Sequence, residues 1–360
     1  MVGWEHNRGD ENDVYKKFDK DARIKFNALP TEKKTKSLNA KTFILYPFEL
    51  KYNQNKTFEE KELDSLKLIE THLKDFKKPY VATSFGNDSI VLMHLVIQVC
   101  KKLDISIPDM FLNDTLNTFK EEKQYWSDMI KYFDLGSHFK LFTPPKDKTG
   151  KQQTVWTIAK KVGHLPSFRS THIEYGSKGR TPECCDILKK ASMKNYMKHL
   201  PESERYDCQF VGTRAEESRM RAMSVLQRCR TYIVKTFVNY PMRVVTPLSY
   251  WTFDDISKYY EKYNIPKNPT YEAHNIERMG CASCPAHKNW EIRLAKDPTN
   301  EGFGMLEMNL KILKDSVEAG TENPIRLTHT IKTIKKYMKS KTITDINVKR
   351  LTNLLGKYEY

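Results

Sequence analysis

Two groups of residues in this chain could do chemistry by their type and spacing. The first is a set of cysteines: of seven in the sequence, Cys184-Cys185 are adjacent and Cys281-Ala282-Ser283-Cys284 form a second tight pair. Adjacent cysteines bridge each other only under strain, and an odd count argues against a disulfide framework. Two such pairs brought together by a fold offer four thiolates, a donor set for a [4Fe–4S] cluster or a tetrahedral zinc ion. A redox Cys-x-x-Cys beside an unrelated buried pair fits the same spacing. The second group is the segment Ser84-Phe85-Gly86-Asn87-Asp88-Ser89. A phosphate needs backbone N–H groups pointing at it and a helix N-terminus behind it. Gly86 removes a side chain that would block approach, and Ser84 and Ser89 add hydroxyls. The Gly-Lys-Ser/Thr ending of a Walker loop is absent. A plain strand-to-helix turn with Asp88 or Ser89 as N-cap matches the spacing equally well.

The elements around these groups read as an α/β alternation. Thr57-Phe58-Glu59-Glu60 is a capping box, and Leu63, Leu66, Ile69, Leu73 and Phe76 follow at helical spacing. Tyr80 to Thr83 is a strand and Asp88 to Leu103 a helix. A strand at Asp109 to Asn113, a helix at Thr118 to Phe133 and a strand at His138 to Phe142 continue the pattern. Further strands are expected at Gln209 to Val211 and Arg243 to Val245, then a helix capped by Thr252. Such alternation implies a doubly wound, mainly parallel sheet with the phosphate segment at a strand's C-terminal end. Helical extensions flank it. The division expected is a basic arm over 1–56, the sheet domain over 57–295 and a basic helical extension over 296–360. In that extension Ile331, Ile334 and Met338 alternate with Lys332, Lys335, Lys336, Lys339 and Lys341.

Val81 to Ser89, continued by Ile90-Val91-Leu92-Met93-His94-Leu95, resembles the PP-loop of adenine-nucleotide alpha hydrolases, most closely that of the phosphoadenosine-phosphosulfate (PAPS) reductase family. Asn113-Asp114-Thr115 resembles that family's Asp-Thr element, which implies contact with the adenosine side of a nucleotide. Gly212-Thr213-Arg214-Ala215-Glu216-Glu217-Ser218-Arg219-Met220-Arg221 resembles its Gly-x-Arg-x-x-Glu-Ser-x-x-Arg element. By that resemblance Gly212, Glu217 and Ser218 belong to the nucleotide site, and Arg214 and Arg221 neutralise phosphate or sulfate. The cysteines, with Arg180-Thr181-Pro182-Glu183 before the first pair and Pro285 after the second, resemble the cluster motif of adenosine-phosphosulfate (APS) reductases and related sulfurtransferases. This implies a [4Fe–4S] cluster in preference to zinc, with Arg180 and Lys189 near both cluster and nucleotide.

The chain departs from the family pattern in two respects. No cysteine follows Cys284, where the reductases' tail carries a nucleophile. The loop joins a reductase-like Ser84-Phe85-Gly86 to the Asp88-Ser89 of ATP-cleaving members, with Asn87 where many of those have lysine. Three function classes remain. In the first, ATP is cleaved between its alpha and beta phosphates, Mg²⁺ neutralises the pyrophosphate, and an adenylated acceptor is thiolated. Asp88 would act in the loop, and a sulfur-donor protein would feed the reaction. In the second, APS or PAPS is reduced by a non-standard nucleophile with an electron-donor partner. Cys229, between Arg228 and Arg230, is the better candidate and Cys208 the poorer. The third is a regulator that binds nucleotide or cluster without turnover. A net charge of +16 suits a nucleic-acid acceptor or anionic substrates and equally a lysine-rich solvated surface. No apolar run reaches the length of a membrane span, and Met1-Val2-Gly3-Trp4-Glu5-His6 lacks the order of a secretory signal, so a cytoplasmic protein is expected.

Overall fold

The computed structural model describes residues 44–166, 183–234, 238, 240–276, 279–285, 289–297, 299–340 and 345–358. Most of the expected basic arm, and Arg180 with the Arg-Thr-Pro stretch before the first cysteine pair, lie outside the described residues. Six strands form one sheet: β1 (Pro79–Thr83), β2 (Asp109–Asn113), β3 (Phe139–Phe142), β4 (Cys208–Val211), β5 (Thr231–Val234) and β6 (Met242–Val245). Their order is β3-β2-β1-β4-β6-β5. β1, β4 and β6 run parallel, and β5 pairs antiparallel at the edge. The mainly parallel α/β sheet is therefore as expected, with β5 as an unanticipated edge strand. The chain divides into two compact units, one built from residues up to Phe111 together with Leu200–Lys267, the other from Leu112–His199 and Asn268–Tyr360.

In the first unit the central strands carry the core: Tyr80, Val81, Phe210 and Val245 are completely covered, whereas the edge strand β5 leaves Ile233 exposed. The helix Asn87–Leu103 is apolar almost all round, Ile90 to Met93 being fully buried. Capping boxes fix helix starts, among them Thr57 with Glu60 and Thr252 with Asp255. Asp255 also holds Lys61 Nζ at 2.6 Å, and both side chains are buried.

In the second unit the helices Asn300–Glu318, Pro324–Met338 and Asp345–Gly356 share a core with Val155–Val162 and Trp290–Lys296. Leu306, Leu310, Leu313, Leu327, Ile334 and Leu354 form its centre. The C-terminal helices thus pack as core elements through one face, while Lys332, Lys335, Lys336 and Lys339 stay exposed on the other. Among the described residues, no helix is long and apolar enough to cross a membrane.

Candidate functional site

The strand order reverses at β1, which has β2 on one side and β4 on the other. β1 and β4 are in register, with Ala82 level with Val211, so the segments after Thr83 and after Val211 leave the sheet side by side. Open α/β sheets bind ligands at such a reversal, outside the C-terminal strand ends. Gly212 makes the approach close. A Cβ there would lie 3.0 Å from the Asp88 carbonyl oxygen and 3.3 Å from Ser89 Cα.

Within the loop, Phe85 carries a positive φ of 51° and is fully buried, an uncommon conformation for a bulky residue. Gly86 is the N-cap of the helix Asn87–Leu103 and has an ordinary φ of −75°, so its role is space rather than backbone freedom. The serines hold the loop together. Ser89 Oγ donates to Gly86 O at 2.9 Å and accepts from Ser84 N at 3.3 Å, while Ser84 Oγ accepts from Gly86 N at 3.4 Å. Thr83 Oγ1 accepts from Phe85 N at 3.1 Å.

Asp88, in the helix's first turn, accepts a 2.8 Å bond from Arg214 Nε. Burial raises its pKa to about 6, opposed by Arg214 and reinforced by the Glu217 charge. Arg214 Nη1 also donates to Glu216 Oε2 at 2.9 Å, and Arg221 Nη1 donates to Glu217. Both arginines proposed to meet an anion are therefore already paired with carboxylates. Ser218 caps the helix Arg219–Arg228 through Arg221 N. Beside it opens a cleft of about 560 Å³ lined by Lys51, Gln54, Ala215, Glu216, Ser218, Arg219 and Thr252, with no residue of Ser84–Ser89 in its wall.

The second unit holds the remaining residues. Asp114 is buried and accepts from Leu116 N at 2.8 Å, Thr118 Oγ1 at 3.0 Å and Lys123 Nζ at 3.2 Å. Thr115 Oγ1 is buried with no hydrogen-bond partner among the described residues. Cys184 and Cys185 lie in the short helix Glu183–Asp186, which runs into a π-helical turn, Ile187–Ala191, carrying Lys189. Such turns recur at functional sites. Cys281 and Cys284 sit on a turn closed by Cys284 N donating to Cys281 O at 3.1 Å. The turn is clamped from several sides: Ala282 N donates to Asn117 O at 2.7 Å, Asn117 Nδ2 to Ser283 Oγ at 2.8 Å and Asn309 Nδ2 to Ser283 O at 2.9 Å. Arg293 Nη2 donates to Ala282 O at 2.5 Å.

The four sulfurs feel one another. The Cys184 thiol is pushed up by its bond with Cys185, by burial, and by the charges of Cys185, Cys284 and Cys281. Cys185 is pulled down to about 6 by the bond with Cys184, with Lys189 and Lys190 helping against burial. Two of the four sulfurs, those of Cys184 and Cys281, belong to nearly sealed residues, all four cysteines lie in one unit, and Lys189 and Lys190 flank Cys185.

Of the other cysteines, Cys208 is fully buried in β4 and its thiol is pushed up by burial. Cys229 ends the helix Arg219–Arg228 with φ 56° and ψ −153°, a strained backbone for a non-glycine residue, and packs against a small apolar cluster. Arg228 and Arg230, expected to activate it, stack over Tyr232 and Tyr250 at 5.1 and 5.0 Å. Sequence reasoning missed Glu122. It is buried, and burial with the Asp114 charge pushes its pKa up to about 8, against the pull of Lys189. In the sequence it is one more acidic residue in a helix's first turn, so only its neighbours reveal it.

The family model described as phosphoadenosine phosphosulfate reductase domain matches residues 78–287. An adenosine 5'-phosphosulfate reductase of Oceanobacillus iheyensis is 26% identical over 207 residues, covering 56% of this chain and 69% of that protein. A sulfate adenylyltransferase subunit 2 of Methylobacterium sp. (strain 4-46) is 25% identical over 229 residues, covering 59% of this chain and 64% of its own length. The solved PAPS reductase of Candida auris aligns with a TM-score of 0.40 at 14% identity, over 63% of this chain and 92% of that one. With more than half of its length under that family model, the chain belongs to the phosphoadenosine phosphosulfate reductase domain family.

Proposed function

We propose that this protein is an enzyme of adenylyl–sulfur chemistry. It binds an adenine nucleotide at Ser84–Ser89 and holds a [4Fe–4S] cluster on Cys184, Cys185, Cys281 and Cys284. The observation that carries the nucleotide half is the abutment of Gly212 on the backbone of Asp88 and Ser89 at the reversal of strand order. A helix start capped by glycine offers its first-turn amides to a phosphate, and the serine bonds hold the loop ready. Phe85, Asn87, Gly212, Glu217 and Ser218 would shape this seat; Asp114, Thr115, Lys189 and Arg180 belong to the same proposal through family resemblance. The all-sulfur donor set supports the cluster half, with zinc as the alternative. When bound, the cluster would supply a redox-active, sulfur-rich centre.

The reaction we favour is cleavage of ATP with release of pyrophosphate, aided by Mg²⁺, followed by thiolation of the adenylated acceptor. A nucleic acid fits the basic balance of the chain as that acceptor, and a separate protein would bring the sulfur. Reduction of APS or PAPS is the second reading, favoured by the O. iheyensis relative. It needs a nucleophile. Cys100 is fully buried with its thiol raised to about 11 by burial, and Cys208 is sealed in the sheet. Among cysteines outside the four, this leaves Cys229.

Anaerobic purification tests the cluster: a colourless, zinc-loaded protein sinks the iron–sulfur assignment. A panel of ATP, APS and PAPS then separates the reactions. Pyrophosphate release from ATP supports transfer, sulfite release from APS or PAPS supports reduction, and full sulfite release by Cys229→Ser removes Cys229 as nucleophile. Failure to bind all three nucleotides overturns the assignment of the loop.

A further inference from the structure

His274 is completely buried, yet three carboxylates close on it. Its Nδ1 lies 2.8 Å from Asp297 Oδ2 and its Nε2 3.0 Å from Glu121 Oε2. A ligand atom of Glu301 completes a group with Glu121 and His274 in which all ligand atoms lie within 4.8 Å of one another. The three come from separate stretches of the second unit: Glu121 from the first turn of Lys120–Tyr132, His274 from the end of Thr270–Ala273, and Glu301 from the first turn of Asn300–Glu318.

The surroundings hold the imidazole in one orientation. Phe119 stacks on it with ring centroids 3.5 Å apart. Asp297 is nearly sealed from solvent, and its other oxygen accepts from Thr299 N at 2.8 Å and from Thr299 Oγ1 at 2.6 Å. Its carboxylate occupies the space that a side chain at 302 would fill, since a Cβ on Gly302 would come within 2.1 Å of Asp297 Cγ and Oδ2. Nδ1 is thereby committed to Asp297. Toward Glu121 the ring presents either a second proton or a lone pair, and a bare lone pair would repel the carboxylate.

We propose that Glu121, His274 and Glu301 form a site for a divalent cation of the Mn²⁺ or Zn²⁺ type, with Asp297 orienting the histidine. Ligating histidines commonly give their other N–H to a carboxylate, which fixes tautomer and ring orientation. With metal–ligand bonds of about 2.1 Å, donors 3.0 Å apart subtend about 90° at the ion, the angle between neighbouring ligands of an octahedron. The charges agree. Asp297, Glu121 and Glu301 bring three carboxylates to one partly buried place, and a dication offsets two of their charges. The ion would tie the starts of two helices to the segment that leads into Cys281. It is separate from the four-cysteine constellation, whose sulfur donors favour softer ions.

Mn²⁺ discriminates between the two places because it prefers oxygen and nitrogen donors to thiolates. Chelator-stripped full-length protein, without nucleotide, is titrated with Mn²⁺ and the unbound ion followed by electron paramagnetic resonance. The same samples are melted with and without Mn²⁺. The expected result is a site whose affinity falls at least tenfold in both His274→Gln and Glu301→Gln, but stays unchanged in Asp88→Asn. Mn²⁺ should raise the melting temperature of the wild type and not of Glu301→Gln. Glu301 is partly exposed, so that variant remains informative should His274→Gln not fold. Wild-type protein that binds no Mn²⁺, or a Glu301→Gln variant that binds it with wild-type affinity, overturns the site and leaves His274 as a buried histidine bonded to Asp297 and Glu121.

Discussion

Gly212→Ala tests the placement of the phosphate loop through a single methyl group. The added Cβ would meet Asp88 O at 3.0 Å, Asp88 C at 3.1 Å and Ser89 Cα at 3.3 Å. All three are backbone atoms, so no flexible side chain can swing away, and Asp88 and Ser89 must retreat by a few tenths of an ångström. Overpacking of this kind costs about 1–3 kcal/mol. Part of the strain appears as stability, roughly 1–2 °C of melting temperature per kcal/mol for a chain of 360 residues. The rest appears in the loop, because Ser89 Oγ is bonded to both Gly86 O and Ser84 N and carries the shift into the phosphate seat. A misplacement worth ~1.4 kcal/mol weakens binding about tenfold. Calorimetric titration of ATP, APS and PAPS into wild type and variant, below the variant's melting range, reads this directly. A variant that melts earlier yet binds every nucleotide with wild-type affinity refutes the seat at Ser84–Ser89.

Three further outcomes follow from packing and charge. Lys61→Met strands the buried Asp255, softened only by its bonds from Thr252. It should cost about 3 kcal/mol or more by denaturant titration, where breaking a buried pair typically costs 3–5. Gly304→Ala, inside the helix Asn300–Glu318 with nothing within 4 Å of the new Cβ, should stabilise the protein by about 0.5–1 kcal/mol. For Glu122 the folded pKa, about 8, lies above the ordinary glutamate value, so the folded state holds a proton that the unfolded chain releases. Its stabilising contribution is complete at acid pH and is lost as pH rises from that ordinary value to about 8. Glu122→Gln should flatten that decline in melting temperature against pH, and an unchanged slope would contradict the burial.

How much of this was legible before the fold was known depended on where the information lay. Helix starts were local, and Thr57 and Thr252 marked them because a capping box is a four-residue signal. The buried parallel strands were legible as short apolar runs. β5 escaped because Tyr232 and Ile233 alternate weakly at an edge and earn their pairing only from β6. At the site, residue types were legible and their partners were not. Ser84 and Ser89 read as ligand hydroxyls, but spend their bonds on the loop. Arg214 and Arg221 read as bare cations, but each meets a carboxylate. The C-terminal lysine helices read as an extension because an amphipathic stripe says that one face is buried, never against what.

The pairing of those arginines changes how an anion would be received. A phosphate entering the proposed seat finds Arg214 shared between Asp88 and Glu216, and Arg221 held by Glu217. It adds negative charge beside Asp88, whose pKa burial raises to about 6. Protonating Asp88 at pH 7 costs only about 1.4 kcal/mol for that one-unit gap. Doing so would remove a carboxylate charge and release Arg214 Nε. Without a dication, nucleotide binding should therefore take up protons; with Mg²⁺, the ion supplies the compensating charge and uptake should shrink. Titrations in buffers of different ionisation enthalpy measure the difference, and Asp88→Asn should abolish it. Equal proton uptake by wild type and Asp88→Asn would mean that the anion is accommodated elsewhere and that Asp88 serves only to hold Arg214 in place.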